Sequence, residues 1–526
     1  MGLGERLDRK FGGTARGLAR AVLAAGLLGF AAAALASGGF EEAYRSITGK
    51  PEYRYASWGL LVEDLATGKV LFSQNAMNRL APGSTVKSFT TLAAMDALGA
   101  DHRFKTPVYA VGTVDTNGRL EGDLVLVAQG DPTLGGRTKP DGTIDFTNMD
   151  HGDANALGTS GLTPENPLAG LEDLAKQVAA SGVRSARDVL VDDRLFDDPR
   201  LKDYPLSPIL VNDNLIDLMV KATQPGQPAA VTWRPQSAAF RVVSEVQTIA
   251  KGETDLAVSS PEPGVILVRG TIAASAASTV RAFTVPDPAS FARTCFVEAL
   301  LRHGVTVDAK ASGANGRERL PDPKVCAGLT PVAVLTSPPF SEDVKLTLKV
   351  SQNLHADTYP LLIAAASGKR TFYEGLAKER ETFRAMGMDL DALSLGDGSG
   401  GASSDRVSPK AAVQLLTAAT RRKDFAVFFN ALPILGVDGS LADVATPGSK
   451  AIGKVRAKTG TVGDYDSLND RGILLAKGLA GYVEASSGRR LVFAIYVNNV
   501  PYSDVAGIMA VGHDLARLTE AMHAAF

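Results

Sequence analysis

The segment from residue 80 to residue 99, LAPGSTVKSFTTLAAMDALG, predicts a turn that leads directly into a buried helix. Pro82 and Gly83 make the turn, and the apolar residues after them recur at helical spacing. Ser84 then stands at the start of the helix, and Lys87 follows three residues later on the same face. The spacing therefore predicts an amine beside a hydroxyl.

Ser84 and Lys87 have the residue types of a nucleophile and its base. A serine hydroxyl becomes nucleophilic when a neighbouring base takes its proton, and burial or nearby positive charge can keep a lysine neutral enough to be that base. The free N–H groups at the start of the helix can stabilise an oxyanion. A single Ser-x-x-Lys match also arises by chance, as a solvated lysine in a first helical turn. The rest of the chain must decide between these interpretations.

Length and composition predict a globular protein with more than one domain. The chain has 526 residues, of which 45% are hydrophobic and 21% charged, so it exceeds the size of a single core. The net charge of −2 provides no basic surface for nucleic acid. Composition alone assigns no function.

The N-terminus has the pattern of a secretory signal. An uncharged, Ala-rich run spans residues 21–40 and contains Ala34-Leu35-Ala36, which resembles a cleavage site, so we expect a signal peptide over residues 1–36. An uncleaved anchor is the alternative, since about 20 uncharged residues can span a bilayer. Both alternatives predict an exported protein of the periplasm or cell envelope, and the anchor would attach it to a membrane. Five basic residues precede the run: Arg6, Arg9, Lys10, Arg16 and Arg20.

Two cysteines, Cys295 and Cys326, suit an oxidising compartment that permits a disulfide. Their spacing leaves open whether they pair or remain two buried free thiols. The sequence has no Cys/His cluster with the spacing of a structural zinc site. We expect no metal and no other cofactor.

The order of the predicted elements indicates an α/β (α+β) domain that is interrupted by insertions. Residues 58–72 predict two strands joined at Ala66-Thr67-Gly68, and residues 216–285 predict a small β-rich module. Helical patterns dominate from residue 329, before two strands and a final helix close the chain. No internal repeat is evident.

Residues 135–165 are rich in Gly, Asp, Asn and Thr and predict a long, solvated surface loop. Calcium binding is the alternative, although the spacing of the oxygen-bearing side chains matches no standard calcium loop. Those side chains are Asp145, Asn148, Asp150, Asp153 and Asn155.

Two further motifs follow downstream. Ser351-Gln352-Asn353 lies after an apolar pattern and predicts a turn between helices that points a hydroxyl and an amide into one cleft. Lys458-Thr459-Gly460-Thr461 predicts the end of a strand, where a lysine and a hydroxyl can hold a carboxylate and the glycine lets another backbone approach. Taken singly, the first is an ordinary polar loop and the second an edge-strand lysine that prevents aggregation.

In the order Ser-x-x-Lys, Ser-x-Asn, Lys-Thr-Gly, the three motifs resemble the signature of penicillin-binding proteins and serine β-lactamases. About half of the chain separates Ser84 from Ser351, which is far more than in a class A β-lactamase. The chain is therefore similar to the D-alanyl-D-alanine carboxypeptidase/endopeptidase family, the class C low-molecular-mass penicillin-binding proteins. Further similarities cover most of residues 55–520: Gly130-Asp131-Pro132-Thr133-Leu134, Val211-Asn212-Asp213-Asn214, Asp397-Gly398-Ser399-Gly400 and Gly481-Tyr482-Val483.

This resemblance implies a penicillin-binding-protein/β-lactamase-like transpeptidase domain with two inserted, mainly β domains. We expect the catalytic domain to be discontinuous, over residues 41–102 and 330–526. The first inserted domain would occupy residues 103–215 and 281–329, with the small β-rich domain nested in it over residues 216–280.

The resemblance also implies residue roles. Ser84 would attack the carbonyl of the penultimate D-Ala with Lys87 as its base, while Asn353 orients the substrate and Lys87. Ser351, helped by Lys458, would pass a proton to the leaving amine. The terminal carboxylate would lie against Thr459 and Thr461 beside Lys458, with Gly460 between them. The oxyanion would bind the backbone N–H groups of Ser84 and Thr461.

The implied substrates are peptidoglycan stem peptides, and β-lactam antibiotics would be covalent inhibitors. One departure concerns side-chain preference: where the family often has Leu-Ser-Arg after Asp-Gly-Ser-Gly, this chain has Gly401-Ala402-Ser403, with Arg406 close by. A β-lactamase or esterase with the same motifs, and a catalytically silent cell-wall assembly protein, are the alternatives. The balance of carboxypeptidase and endopeptidase activity, membrane association and self-association stay open.

Overall fold

The computed structural model describes residues 39–197 and 204–526. The predicted signal peptide, residues 1–36, lies outside the described residues. Within the two described ranges, no helix combines the length and the apolar character needed to cross a membrane.

The first segment leads from an N-terminal helix through a hairpin to the Ser84 helix. A single 3₁₀ turn, Gly83–Thr85, precedes that helix. The hairpin and the helix confirm the prediction for residues 58–99. The elements are α1 (Phe40–Thr48), β1 (Ser57–Asp64), β2 (Val70–Gln74) and α2 (Val86–Leu98).

The middle of the chain is rich in strands. Its first elements are β3 (Lys105–Val114), β4 (Arg119–Val127), the short α3 (Ala154–Leu157), α4 (Ala169–Ala180) and β5 (Ser185–Asp192). Six strands follow: β6 (Leu215–Lys221), β7 (Ala230–Arg234), β8 (Arg241–Ile249), β9 (Asp255–Ser259), β10 (Val265–Ala273) and β11 (Thr279–Thr284). The segment ends with α5 (Pro288–Arg302), β12 (Thr306–Val307), α6 (Pro323–Ala327) and β13 (Ala333–Thr336).

The last third is helical before it returns to strands. The helical part contains α7 (Phe340–Lys349), α8 (Asn353–Ala366), α9 (Phe372–Ala385), β14 (Leu393–Ser394), β15 (Arg406–Val407), α10 (Pro409–Ala419) and α11 (Phe425–Ala431). The chain closes with β16 (Val455–Asp466), β17 (Arg471–Glu484), β18 (Arg490–Asn498), β19 (Val500–Tyr502) and α12 (Val505–Ala525).

One six-stranded sheet joins the two ends of the chain. Its main order is β16-β17-β18-β1-β2, and β19 also pairs with β17. On one face, α1 and α12 bury apolar side chains against the sheet. On the other face lies α2, of whose thirteen residues ten are buried. The helix is buried nearly all round because α7, α8 and α9 pack around it.

The inserted segment forms three separate sheets. A five-stranded sheet has the order β12-β5-β4-β3-β13, and α4 and α5 pack together beside it. Two three-stranded sheets, β11-β6-β7 and β8-β10-β9, account for the β-rich module. Two details differ from the expected boundaries. Strand β13, expected in the catalytic part, pairs with β3, and β11 extends the small module to residue 284. The three-domain division otherwise stays a prediction.

The Lys-Thr-Gly motif lies inside a strand rather than at its end. Strand β16 continues to Asp466 and pairs with β17, with a register shift between Val462 and Gly463. Pairing with β17 keeps the segment after Thr461 extended. Although β16 is an edge strand, Lys458 is fully buried, so the interpretation as a solvated edge lysine is wrong.

Cys295 and Cys326 are both free and buried. They belong to different apolar clusters, with Cys295 on α5 and Cys326 on α6. Of the two alternatives from the sequence, the structure has the pair of buried thiols.

Candidate active site

Lys87 makes the central contacts of the cleft. Its side chain is fully buried, and its Nζ lies 2.8 Å from Ser84 Oγ and 2.7 Å from Asn353 Oδ1. A third contact, of 2.8 Å, reaches the backbone oxygen of Ser399. A neutral amine has two hydrogens and one lone pair, and the amide and carbonyl oxygens can only accept hydrogen bonds. The lone pair of a neutral Lys87 is therefore directed at the Ser84 hydroxyl, as a general base requires.

The Ser351 loop faces the same cleft from the far side. It lies between α7 and α8, and Ser351 has a φ of 63°, a left-handed conformation that is costly for a residue with a β-carbon. Lys458 Nζ donates to Ser351 Oγ at 2.9 Å. Burial, and next the charge of Lys87, hold the pKa of Lys458 well below its usual range, although Asp153 opposes this. The two amines are therefore close enough to influence each other's charge.

Strand β16 packs directly against the turn that contains Ser84. A β-carbon on Gly460 would lie 2.3 Å from the Pro82 carbonyl oxygen and 3.1 Å from the Ser84 nitrogen. A β-carbon on Gly83 would lie 2.8 Å from the Thr461 nitrogen. Only glycine allows such an approach, and it brings the backbone nitrogens of Ser84 and Thr461 to one side of the nucleophile.

The carboxylate-binding side of the predicted site contains two residues that the sequence prediction missed. Thr459 Oγ1 shares a 2.7 Å hydrogen bond with Ser440 Oγ. Thr461 Oγ1 accepts a hydrogen bond of 2.9 Å from Lys477 Nζ. Lys477 belongs to β17, directly opposite Thr461 in the antiparallel register. Three hydroxyls and one amine therefore lie along this side of β16.

The Asp-Gly-Ser-Gly loop provides the carbonyl that Lys87 contacts. Gly400 has a φ of +95°, and a β-carbon there would lie 2.1 Å from the Gly83 carbonyl oxygen. The Asp397 carboxylate accepts hydrogen bonds from the backbone nitrogens of Ser399 and Gly400 at 3.0 and 2.6 Å. The loop is thus fixed from inside and holds the Ser399 carbonyl in place.

Arg406, which lies close to the departure at Gly401-Ala402-Ser403, is exposed and turns back on its own loop. Its Nη1 donates to the Ser403 carbonyl at 3.1 Å and to the Asp405 carbonyl at 2.6 Å. The guanidinium therefore donates two hydrogen bonds to backbone carbonyls of its own loop.

Behind the Ser351 loop lies a buried group of charges, here named the aspartate–histidine cluster. Asp213 is its centre: one carboxylate oxygen accepts from Arg137 at 2.6 Å and contacts His151 Nε2 at 2.8 Å. Its other oxygen is 3.2 Å from His355 Nε2. The cluster comprises Arg137, Asp150, His151, Asp213, Asp217, Asp343 and His355, all buried.

Both histidines of the cluster are held in the charged form. Burial by itself lowers the pKa of His151, but Asp217 and Asp150 outweigh this and raise it to about 10. For His355, Asp343 and Asp213 likewise outweigh burial and raise the pKa to about 10. With Arg137, and with Arg234 donating to Asp217 at 3.0 Å, four cations balance four carboxylates.

Three ligand-type atoms of this cluster, from Asp150, His151 and Asp213, lie within 4.8 Å of one another. Arg137 occupies the same position, with a 2.8 Å ion pair to Asp150 and the 2.6 Å pair to Asp213. A guanidinium that neutralises two of the three groups leaves little need for a metal cation.

The cluster is connected to the catalytic loop through Gln352. The amide Nε2 of Gln352 donates to Asp213 at 3.0 Å and to Asp150 at 3.2 Å, and its Oε1 accepts from the Leu354 nitrogen at 3.0 Å. Gln352 is the middle residue of the Ser-x-Asn motif. The cluster therefore fixes the loop that presents Ser351 and Asn353.

Residues 135–165 are not the solvated loop that composition predicted. Asp150 and His151 are buried in the cluster, and Asp153 lines a cleft together with Ser351 and Asn353. The calcium interpretation is also wrong, because the side chains have separate partners. Asn148 accepts from the Gly439 nitrogen, and Asn155 bonds to the backbone of Ala282.

Direct contacts bring the predicted site residues together: Lys87 contacts Ser84 and Asn353, Lys458 contacts Ser351, and the strand segment 459–461 packs against the Ser84 turn. Of the residues that were missed, Asp213 lies in the Val-Asn-Asp-Asn motif, which the sequence had indicated without a role. Lys477 and Ser440 gave no signal, since only the strand register and the folding of the 439–441 turn bring them to β16.

Comparisons with known proteins identify the family. Residues 41–518 match the D-Ala-D-Ala carboxypeptidase 3 (S13) family. The D-alanyl-D-alanine carboxypeptidase of Actinomadura sp. (strain R39) is 31% identical over 476 residues, covering 85% of this chain and 79% of that protein. Carboxypeptidase DacB of Mycolicibacterium smegmatis is 26% identical over 444 residues, covering 83% of this chain and 75% of that protein.

The fold is also similar to a solved structure. Penicillin binding protein 4 (dacB) from Haemophilus influenzae superimposes with a TM-score of 0.68 at 20% identity, covering 90% of this chain and 98% of that one. This likeness supports the penicillin-binding-protein fold expected from the motifs. The chain therefore belongs to the D-Ala-D-Ala carboxypeptidase 3 (S13) family and is a serine hydrolase.

Proposed function

We propose that this protein hydrolyses the D-Ala-D-Ala end of peptidoglycan stem peptides through an acyl-enzyme on Ser84. The observation that carries the proposal is the set of contacts around Lys87 Nζ, with Ser84 Oγ at 2.8 Å and two acceptors on its other sides. A base held this way can take the serine proton as the new bond forms.

In the proposed mechanism, Ser84 Oγ attacks the carbonyl carbon of the penultimate D-Ala and its proton passes to Lys87. The oxyanion binds the backbone N–H groups of Ser84 and Thr461. The C–N bond then breaks, and Ser351 gives its proton to the leaving amine of the terminal D-Ala. Lys458, which donates to Ser351 at 2.9 Å, restores that proton. Water then attacks the ester by the reverse sequence and regenerates Ser84.

Several finer assignments belong to the same proposal. Asn353 orients the substrate amide, and Thr459, Gly460 and Thr461 line the position of the terminal carboxylate. Endopeptidase cleavage of cross-links would use the same steps with a larger leaving amine. β-Lactams would acylate Ser84 by the same route, and the N-terminal pattern would direct the protein to the periplasm or cell envelope.

A labelling experiment tests the nucleophile. Fluorescent penicillin should label the wild type, and Ser84→Ala should remain unlabelled because the ester cannot form. Equal labelling of both proteins would remove Ser84 from its role. Release of D-Ala from a stem pentapeptide by the wild type, and its absence with Ser84→Ala, tests the reaction itself.

The same assays separate the alternatives. A penicillin adduct that lasts minutes or longer indicates a penicillin-binding protein, whereas rapid turnover indicates a β-lactamase. A wild type that neither binds penicillin nor releases D-Ala would favour a silent wall-assembly protein. Digestion of purified sacculi, followed by separation of the muropeptides, distinguishes carboxypeptidase from endopeptidase products.

A further inference from the structure

Lys477 places an amine beside the carboxylate-binding strand. Its Nζ donates to Thr461 Oγ1 at 2.9 Å, and Thr461 is exposed. A hydroxyl that accepts from an ammonium keeps its own hydrogen available for a third group. The Thr461 hydroxyl can therefore donate a hydrogen bond to a ligand, and the Lys477 ammonium lies next to it.

Residues two apart on a strand share a face, so Thr459 and Thr461 point the same way. Ser440 Oγ joins them through its 2.7 Å contact with Thr459. The result is a row of three hydroxyls that ends at the Lys477 ammonium. Such a row, which is rich in donors, suits an anion.

Among the described residues, no carboxylate lies within ion-pair distance of Lys477. Its ammonium donates to a neutral hydroxyl, and the residue is partly buried. The side chain lies close to α12, since a β-carbon on Gly512 would be 3.5 Å from Lys477 Cε. A half-buried charge without an acidic partner is costly unless a ligand supplies one.

We propose that Lys477 is a specificity-determining residue, whose ammonium binds the C-terminal carboxylate of the substrate together with the Thr461 hydroxyl. The inference rests on the proposed function, since it assigns a further contact to the carboxylate end of the same substrate. Burial lowers the pKa of Lys477 to about 8, so the amine is largely charged at neutral pH. A bound carboxylate would favour that charged form further.

Two substrates that differ only in the carboxylate test the role. An acyl-D-alanyl thioester of thioglycolic acid has a free carboxylate, whereas its methyl ester has none, and thiol release measures both reactions. Lys477→Met should lower kcat/KM for the acid about 10- to 100-fold, mainly through KM, because a charge-assisted hydrogen bond is lost. The methyl ester should react within about twofold of the wild-type rate. Lys477→Arg, which keeps the charge, should recover most of the activity on the acid.

A purely structural role predicts a different result. If Lys477 only stabilises the β16–β17 hairpin, Lys477→Met slows cleavage of both substrates equally, and that outcome overturns the proposal. Unchanged cleavage of both substrates would overturn it as well. Lys454→Met is the matched control, because Lys454 forms an exposed pair with Glu484 at 2.8 Å outside the cleft. If Lys477→Met shows no thermal unfolding transition and so does not fold, Lys477→Gln is a second neutral variant for the same test.

The two proposals fail in distinguishable ways. A wild type that cleaves neither thioester and releases no D-Ala contradicts the proposed function, and the carboxylate contact falls with it. A wild type that cleaves both thioesters equally well leaves the serine chemistry intact and removes only the role of Lys477.

Discussion

The cleft and the aspartate–histidine cluster are adjacent, and both bury charged side chains. They differ in whether those side chains contact groups of opposite charge. In the cluster, Asp213 is shared by three cationic side chains. In the cleft, Lys87 and Lys458 are fully buried and their recorded contacts are to hydroxyl, amide and carbonyl oxygens. Paired charges stabilise a fold only when every partner is present. Burial of an amine among neutral oxygens lowers the stability of the fold but makes the amine more reactive.

The contrast predicts that Lys87→Met affects the reaction far more than the fold. Removal of the base should slow acylation by fluorescent penicillin about 10²- to 10⁴-fold. The free energy of unfolding should change by no more than about 2 kcal/mol, because loss of the donor to Ser399 is offset by removal of a poorly solvated amine. Stopped-flow labelling and chemical denaturation measure the two effects.

Lys454→Met is the control for this prediction. Lys454 pairs with Glu484 at 2.8 Å and both side chains are about half exposed, so the pair contributes at most about 1 kcal/mol. Both rate and stability should stay near wild type. Acylation of Lys87→Met at the wild-type rate would contradict the role of Lys87 as base.

Asp213→Asn should have the opposite profile and destabilise the protein strongly. The amide keeps the shape of the side chain but leaves Arg137, His151 and His355 without their shared carboxylate. Removal of one partner from a buried ionic group costs about 3–5 kcal/mol. Acylation should fall less than in Lys87→Met, because Ser351 is shifted through Gln352 while the base stays in place.

Asp308→Asn is the matched substitution at the surface. Asp308 pairs with Arg119 at 3.0 Å, and both side chains are about half exposed, so its loss should cost at most about 1 kcal/mol. Equal denaturation midpoints for Asp213→Asn and Asp308→Asn would mean that the cluster does not stabilise the fold.

The same contrast explains what could be predicted from the sequence. Ser84, Lys87, Ser351 and Lys458 belong to short motifs whose residue types are dictated by the chemistry, so the motifs identified them although they lie far apart in the chain. Strands and helices were also predictable, since apolar periodicity and caps such as Asp287, which accepts from the Ser290 nitrogen, are local signals.

The cluster could not be predicted, because its partners come from separate segments. His151 and Asp150 lie in a polar stretch whose composition indicates a solvated loop, and only tertiary contacts with Asp213 bury them. Lys477 could not be predicted for a similar reason: its position opposite Thr461 depends on the register of the β16–β17 pair. Local patterns report chemistry and periodicity, whereas burial of charge is decided by distant partners.

The smallest effect expected from the contrast concerns the pH dependence of the free energy of unfolding. We expect His355→Gln to weaken this dependence. The folded-state pKa of His355 is about 10, above the 6.5 of an unfolded histidine. A raised pKa means that the folded state holds the proton more tightly, so this contribution is complete below about pH 6.5 and is lost as pH rises towards 10. His355→Gln should therefore be less stable than the wild type at pH 6, and the difference should shrink by pH 10.

The difference between the two proteins, and not the wild-type curve alone, isolates this effect. Burial raises the pKa of Glu379 to about 8, so that group also loses stability between about pH 4.5 and 8. Lys458, with its depressed pKa, acts in the opposite direction: between that pKa and the unfolded value of about 10.4 the unfolded form binds more protons, so stability rises with pH. Both contributions are common to wild type and variant and cancel on subtraction. Urea denaturation in half-unit steps from pH 6 to 10 measures the difference, and a constant offset would show that His355 is not held as a cation between Asp213 and Asp343.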